Sequence, residues 1–215
     1  MVMSARKGAA VPLPHESRLY SDLSHVYDKV FTRVFCNRIA HVVRSLPIEA
    51  GDRILEIGVG TGSSLSAYPR QCSVVGIDIA PEMLERARKK IAEEGWDHVR
   101  LQRMSALNLE FPANAFDYVT AFHVVSVVPD PARMLHEMQR VCKPGGTVVV
   151  INHFRAPGRA LGGLAAMLDP LTRRLGWSSR LRLSDAFNGV PLRIEKKYKT
   201  SPLSLFTVVV ARKEA

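Results

Sequence analysis

The chain has 215 residues, of which 47% are hydrophobic, enough for one cored domain with appendages and too many for a disordered polymer. Its formal net charge of +10 and isoelectric point near 9.9 call for an anionic partner: nucleic acid, an anionic membrane surface or an acidic substrate. No apolar run reaches the ~18 residues of a membrane span, and Arg6 and Lys7 have no apolar stretch behind them, so the start does not read as a secretion signal.

Residues 1–17, with Gly8, Pro12 and Pro14, read as an arm. From Arg18 to Leu46 the apolar residues Leu19, Leu23, Val26, Val30, Val34, Val42 and Leu46 recur at intervals that include threes and fours, which predicts an amphipathic helical segment ended by Pro47 and Gly51. Strands are expected at Arg53–Ile57, Ser73–Ile77, Val99–Gln102, Phe116–Phe122 and Thr147–Asn152. Between them, a helix starts at Ser63 and runs to about Tyr68. A second begins at Pro81 and stops at Gly95, with Glu85 and Lys89 one turn apart. A third is capped by Asp130 ahead of Pro131, buries Met134, Leu135, Met138 and Val141, and is stopped by Lys143-Pro-Gly-Gly146. Strands alternating with helices predict a parallel sheet covered on both faces. After a helix at Leu161–Gly176 and a Ser/Arg-rich connection, Leu192–Thr200 and Leu205–Arg212 form a hairpin about Ser201-Pro202. Two regions follow: residues 1–50 as a lid or membrane-contacting extension, and 51–215 as the α/β domain.

Cys36, Cys72 and Cys142 are scattered and read as reduced core thiols of a cytoplasmic protein. The histidines show no metal-ligand spacing, so no metal site is expected.

The first strand runs into Gly58, Gly60 and Gly62, and the second ends in Asp78, twenty residues beyond Gly58. Glycines there let the backbone turn sharply and approach a ligand, and an acid after the next strand can take both ribose hydroxyls of an adenosine. The spacing is G-x-G-x-G, with Ser63 where a dinucleotide site has its third glycine. A pyrophosphate wants a helix N-terminus; Glu56, inside the strand, suits a cationic ligand better.

This pattern resembles motif I of the class I S-adenosylmethionine (SAM) methyltransferases, whose Rossmann-like fold has a mostly parallel sheet and a C-terminal antiparallel hairpin. Three further runs, Ser126-Val-Val-Pro-Asp-Pro131, Arg140-Val-Cys-Lys-Pro-Gly-Gly146 and Asn152-His-Phe154, resemble the bacterial soluble-type phosphatidylethanolamine N-methyltransferases. The resemblance implies methyl transfer from SAM to the amine of phosphatidylethanolamine or its methylated forms, leaving S-adenosylhomocysteine. It implies cofactor contacts from Tyr27, Glu56, Gly58, Gly60, Thr61, Gly62, Asp78, Ile79, Met83, Met104, Ser105, Ala106 and His123. Ser105 departs from the family, which places an acid there to meet the adenine amine; a serine makes a weaker contact. His153 and Tyr20 take the catalytic positions, with His153 orienting the amine or accepting its proton. Asn152, His153 and Arg155 meet the substrate.

A lipid substrate also suits the charge. Between His153 and Lys199 ten Lys and Arg residues face only Asp169, Asp185 and Glu195. An enzyme in the cytoplasm, bound peripherally to the inner membrane face, is therefore expected, with no nucleic-acid partner. The alternatives are a methyltransferase of a quinone precursor or other small molecule, an RNA methyltransferase (although no RNA-binding module or stacking array is visible), and a non-catalytic SAM-binding regulator.

Overall fold

A computed structural model describes residues 37–154, 181–201, 204 and 206–214. The expected arm, most of the N-terminal helical segment, Tyr20, Tyr27, Cys36, Arg155 and the helix at Leu161–Gly176 lie outside the described residues.

The first described element is helical, residues 37–44 (α1). Then come β1 (Arg53–Ile57), a 3-10 turn (Leu65–Ala67), β2 (Ser73–Asp78), α2 (Pro81–Glu94), β3 (Val99–Arg103) and β4 (Phe116–Phe122). The chain continues through α3 (Pro131–Val141), β5 (Cys142–Asn152), α4 (Leu183–Phe187), β6 (Leu192–Tyr198) and β7 (Thr207–Lys213). The seven strands lie in the order β3-β2-β1-β4-β5-β7-β6. β1 to β5 pair in parallel, whereas β7 runs antiparallel to both β5 and β6. This is the mostly parallel sheet with a terminal antiparallel pair that the strand pattern predicts.

Each sheet face has its own core. Ile39, Val42 and Val43 of α1 and Leu84 of α2 pack with Ile54, Val74, Val149, Ile151, Val208 and Val210. Met134, Leu135, Met138 and Val141 of α3 pack on the other face with Leu55, Ile57, Val119, Val148, Val150 and Val209. Adjacent residues of one strand point to opposite faces. β5 therefore has to be apolar on both sides, and Val148 to Ile151 are all buried.

The helix ends follow local chemistry. Pro81 opens α2, and Gly95 closes it in the left-handed conformation (φ 60°), its N–H donating to Ile91 O. On α2, Glu85 pairs with Arg88 at 3.7 Å. Asp130 caps α3 by accepting the Arg133 N–H at 2.9 Å.

Three local expectations are corrected. The segment from Ser63 makes a single 3-10 turn, because Gly62 packs closely against Ala87 of α2 and Ser64 is tied to Glu56 of β1. Lys143-Pro-Gly-Gly146 does not separate α3 from β5; it lies inside β5, whose pairing with β4 shifts register between Phe116 and Tyr118. Gly146 is needed there, since a Cβ would stand 2.8 Å from Asp117 O and Cys142 Sγ. The connection before β6 contains a short helix, α4, that packs Ala186 into the core. Cys72 and Cys142 are buried and free, and burial pushes the Cys142 thiol up to about 12.

Candidate active site

The chain reverses its direction across the sheet between β1 and β4, and ligands of such sheets lie beyond the carboxyl ends of the strands at that point. The loop after β1 is built for close approach on one side only. Gly58, Gly60 and Gly62 all have positive φ, at 71°, 53° and 72°. A Cβ on Gly58 would press on Val124 at 2.7 Å, and one on Gly62 on Leu65 at 2.9 Å. Gly60 has nothing within 4 Å of that position. The loop is packed on its protein side and open at its middle glycine.

Asp78 ties this loop to the end of β2. Its Oδ2 accepts the Gly60 N–H and its Oδ1 accepts the Ala80 N–H, both at 2.9 Å. A carboxylate has about four acceptor sites, so each oxygen retains capacity for a hydroxyl. The next residue, Ile79, is 56% exposed, an apolar surface at the cleft suited to a flat ring. From β3, Met104 is joined to β2 through its N–H and Asp78 O at 3.1 Å. Ser105 Oγ accepts the Leu107 N–H at 3.2 Å, which makes it a turn-forming residue. Met104, Ser105 and Ala106 are half-buried, as is Met83 on the first turn of α2. Thr61 Oγ1 lies 3.1 Å from Ser63 Oγ, which also accepts from Lys90 Nζ at 3.3 Å.

Glu56 lies beneath the loop, 2% exposed. Its Oε1 accepts the Ser64 hydroxyl, while Oε2 has no hydrogen-bond partner among the described residues. Burial lifts its carboxyl to about 7, against the opposing pull of the Ser64 and Tyr68 hydroxyls. Sequence reasoning missed Ser64, Tyr68 and Thr120, which surround it; the Tyr68 and Thr120 hydroxyls are 2.9 Å apart across 52 residues, a separation without local signal. A buried carboxyl under the glycine loop favours a cationic ligand above it.

On the other side of the cleft, β4 ends in His123, held at φ 61° by an N–H bond of 2.7 Å to Ile151 O. A non-glycine residue in that conformation costs of order 1–3 kcal/mol, a strain found most often at functional sites. Burial, with a smaller effect of the Arg38 charge, lowers His123 to about 4, so its imidazole is neutral at pH 7. Its ring meets Phe206 edge-on, with centroids 4.4 Å apart, and His153 meets the same ring at 6.5 Å. Asn152 is 1% exposed; its amide donates to His153 O at 2.9 Å and its Oδ1 accepts from Ser126 Oγ at 3.4 Å. It therefore shapes the turn that carries His153. Phe206 was not foreseen, because only the antiparallel return of β7 brings it here.

The cleft thus brings together Gly58, Gly60, Thr61, Gly62, Asp78, Ile79, Met104, Ser105 and Ala106 on one side and His123, Asn152 and His153 on the other. Among the described residues no group of three or more His, Cys, Asp or Glu side chains is placed to hold a metal. The open glycine, the twice-anchored carboxylate, the exposed isoleucine and the buried acid fit a cationic adenosine ligand such as SAM.

Residues 55–150 match the family described as Methyltransferase domain. Over 161 residues the chain is 45% identical to a phosphatidylethanolamine N-methyltransferase of Cereibacter sphaeroides, covering 73% of this chain and 78% of that one. It is 33% identical to a demethylmenaquinone methyltransferase of Anoxybacillus flavithermus, covering 62% of this chain and 60% of that one. Among solved structures, a geranyl diphosphate methyltransferase in complex with SAM superposes with a TM-score of 0.71 at 17% identity, over 93% of this chain and 92% of that one. The chain belongs to the class I SAM-dependent methyltransferases, with SAM as its cofactor.

Proposed function

We propose that the protein is a phospholipid N-methyltransferase that methylates the amine of phosphatidylethanolamine or its partly methylated forms, toward phosphatidylcholine. The observation that carries this reading is the 45% identity reaching across 78% of a phosphatidylethanolamine N-methyltransferase. The quinone-precursor reading draws on a relative of lower identity and shorter coverage.

In this reading Gly58, Gly60, Thr61, Gly62, Asp78, Ile79, Met83, Met104, Ser105, Ala106 and His123 hold the cofactor, with Glu56 beneath them. Asp78 takes the ribose hydroxyls. SAM, when bound, supplies an electrophilic methyl group on a sulfonium. An acceptor amine must present a free lone pair, and releasing the proton of an amine of pKa ~10.4 costs about 4–5 kcal/mol at pH 7. His153 accepts that proton, or orients the nitrogen that has lost it, from a turn fixed by Asn152 and Ser126. The neutral His123 and the apolar ring of Phe206 offer the amine little solvation, and desolvation disfavours the ammonium form. Tyr20, Tyr27 and Arg155 keep their proposed roles at the catalytic, cofactor and substrate positions.

The extension up to residue 50 acts as a lid or membrane contact, and the protein binds the cytoplasmic membrane face peripherally. Support comes from β6: it runs parallel to β5, so its C-terminal end lies at the cleft end of the sheet. Lys196, Lys197 and Lys199 are exposed there. Among the described residues, no helix is long and apolar enough to cross a membrane.

The test is expression in a host that makes phosphatidylethanolamine but no phosphatidylcholine. Mono-, di- or trimethylated lipid should appear. Labelled quinone or RNA in place of lipid would remove the substrate assignment and leave the methyltransferase intact.

A further inference from the structure

Arg38, on α1, lies 166 residues from its hydrogen-bond partner: its Nη1 donates to Ser204 Oγ at 3.1 Å. Ser204 is 3% exposed and locked into the turn before β7, donating to Phe206 O at 3.1 Å and accepting the Phe206 N–H at 3.2 Å. The Phe206 ring is the surface that His123 and His153 both meet edge-on. The guanidinium is therefore fixed to the same short turn that organises the acceptor side of the cleft. Arg38 is also close enough to His123 to help hold its imidazole neutral, so Arg38 carries the positive charge of this pair.

A cation near the acceptor disfavours its ammonium form and so helps expose the lone pair, but a simple amine gives that cation no anion to bind. A phosphodiester amine is different, because its anion and its amine are joined by a short ethylene link. A cation offset from the amine-handling residue would hold the anion and leave the nitrogen at His153. Guanidinium presents five donors in a planar fork suited to two phosphate oxygens, and the bond to Ser204 sets the plane of that fork.

We propose that Arg38, oriented by Ser204, binds the phosphodiester group of the acceptor and selects phosphorylated amines over simple ones. This rests on the phospholipid reading above, and no part of the sequence motif set includes it.

The test uses the full chain with phosphatidylethanolamine in neutral detergent micelles, so that surface charge does not contribute. Arg38→Gln should raise the KM for lipid about ten- to a hundredfold, the worth of a charge-assisted hydrogen bond, with a smaller change in kcat and an unchanged Kd for SAM. Arg38→Lys, which keeps the charge and loses the fork, should fall between. Glycerophosphoethanolamine should compete with lipid for the unaltered protein better than ethanolamine does, and Arg38→Gln should erase that difference. Lipid KM values unchanged in both variants would overturn the proposal, as would competition by inorganic phosphate as strong as by glycerophosphoethanolamine. Should Arg38→Gln fail to bind SAM, the Arg38→Lys value decides: a KM equal to that of the unaltered protein overturns it. If the unaltered protein transfers no methyl to the lipid, the phospholipid reading itself falls, an outcome separate from any Arg38 result.

Discussion

The Gly60 N–H donates to Asp78 Oδ2 at 2.9 Å, so the residue expected to grip the ribose also sets the loop expected to face the cofactor. Asp78→Ala removes both at once. A hydrogen bond involving a charged group is worth about 1.5–3 kcal/mol, so SAM affinity should fall about ten- to a hundredfold or more in calorimetric titration. Asp78→Asn keeps one acceptor oxygen and should lose less. Undiminished affinity in Asp78→Ala would remove Asp78 from the cofactor site.

The glycines of the same loop should separate stability from binding. At Gly58 an alanine meets Val124 at 2.7 Å and an unfavourable φ, whereas at Gly60 it meets only the φ. Left-handed backbone costs an L-residue roughly 1–2 kcal/mol. Gly58→Ala should therefore lower the melting temperature more than Gly60→Ala. Gly60→Ala should instead show the larger loss of SAM affinity per degree of stability lost. Equal melting temperatures for the two variants would contradict the packing described around Gly58.

Glu56 gives the protein a pH dependence of known sign. Its folded pKa, about 7, lies above the ordinary value of 4.5 because burial penalises the charge. The folded state then binds more protons than the unfolded one between those values, and stability falls as pH rises from about 4.5 to 7. The full difference is on the order of 3 kcal/mol. Glu56→Gln should flatten this slope and stabilise the protein at pH 8 relative to pH 5, as thermal melts across that range would report. A parallel pH profile in the variant would show that Glu56 is not the group responsible.

His153→Ala should lower turnover while SAM affinity stays within a small factor of the unaltered value. Loss of a positioned proton acceptor typically costs 10²- to 10⁴-fold; loss of an orienting contact costs less. Single-turnover rates with a saturated cofactor site are the direct readout. An unchanged rate would remove His153 from the chemistry.

Membrane contact through the β6 end should be electrostatic. Replacing Lys196, Lys197 and Lys199 with Glu should weaken sedimentation with phosphatidylglycerol-containing vesicles, since each basic residue near an anionic surface contributes about 1 kcal/mol. Added salt should weaken the unaltered protein's binding in the same direction. Salt-independent binding by the triple variant would move the contact elsewhere.

The parts legible in the sequence are those whose determinants are local. The strand-glycine run ending at Gly62, the acid at Asp78 and the Asp130-Pro131 cap all declare themselves within a few residues, and the structure has them where the pattern implies. Lys143-Pro-Gly-Gly146 carried every local signal of a terminator. It lies within β5 because β4 pairs with the residues on either side of it, Phe116 with Cys142 and Tyr118 with Thr147, across a register shift, a tertiary fact that no short window contains. The acceptor side was less legible still. Arg38 and Ser204 meet across 166 residues, and Phe206 reaches His123 only because β7 returns antiparallel beside β5. The charge at Glu56 was readable as chemistry, but its burial against Ser64 and its raised pKa follow from packing.

The most direct measurement is methyl transfer from radiolabelled SAM by the purified protein to vesicles of phosphatidylethanolamine and phosphatidylglycerol, with demethylmenaquinone and tRNA as parallel acceptors. Label is expected in the phosphatidylethanolamine-derived lipids, with a product ladder that counts the methyl groups added. Label confined to the quinone or the RNA, at a rate that lipid does not match, would contradict it.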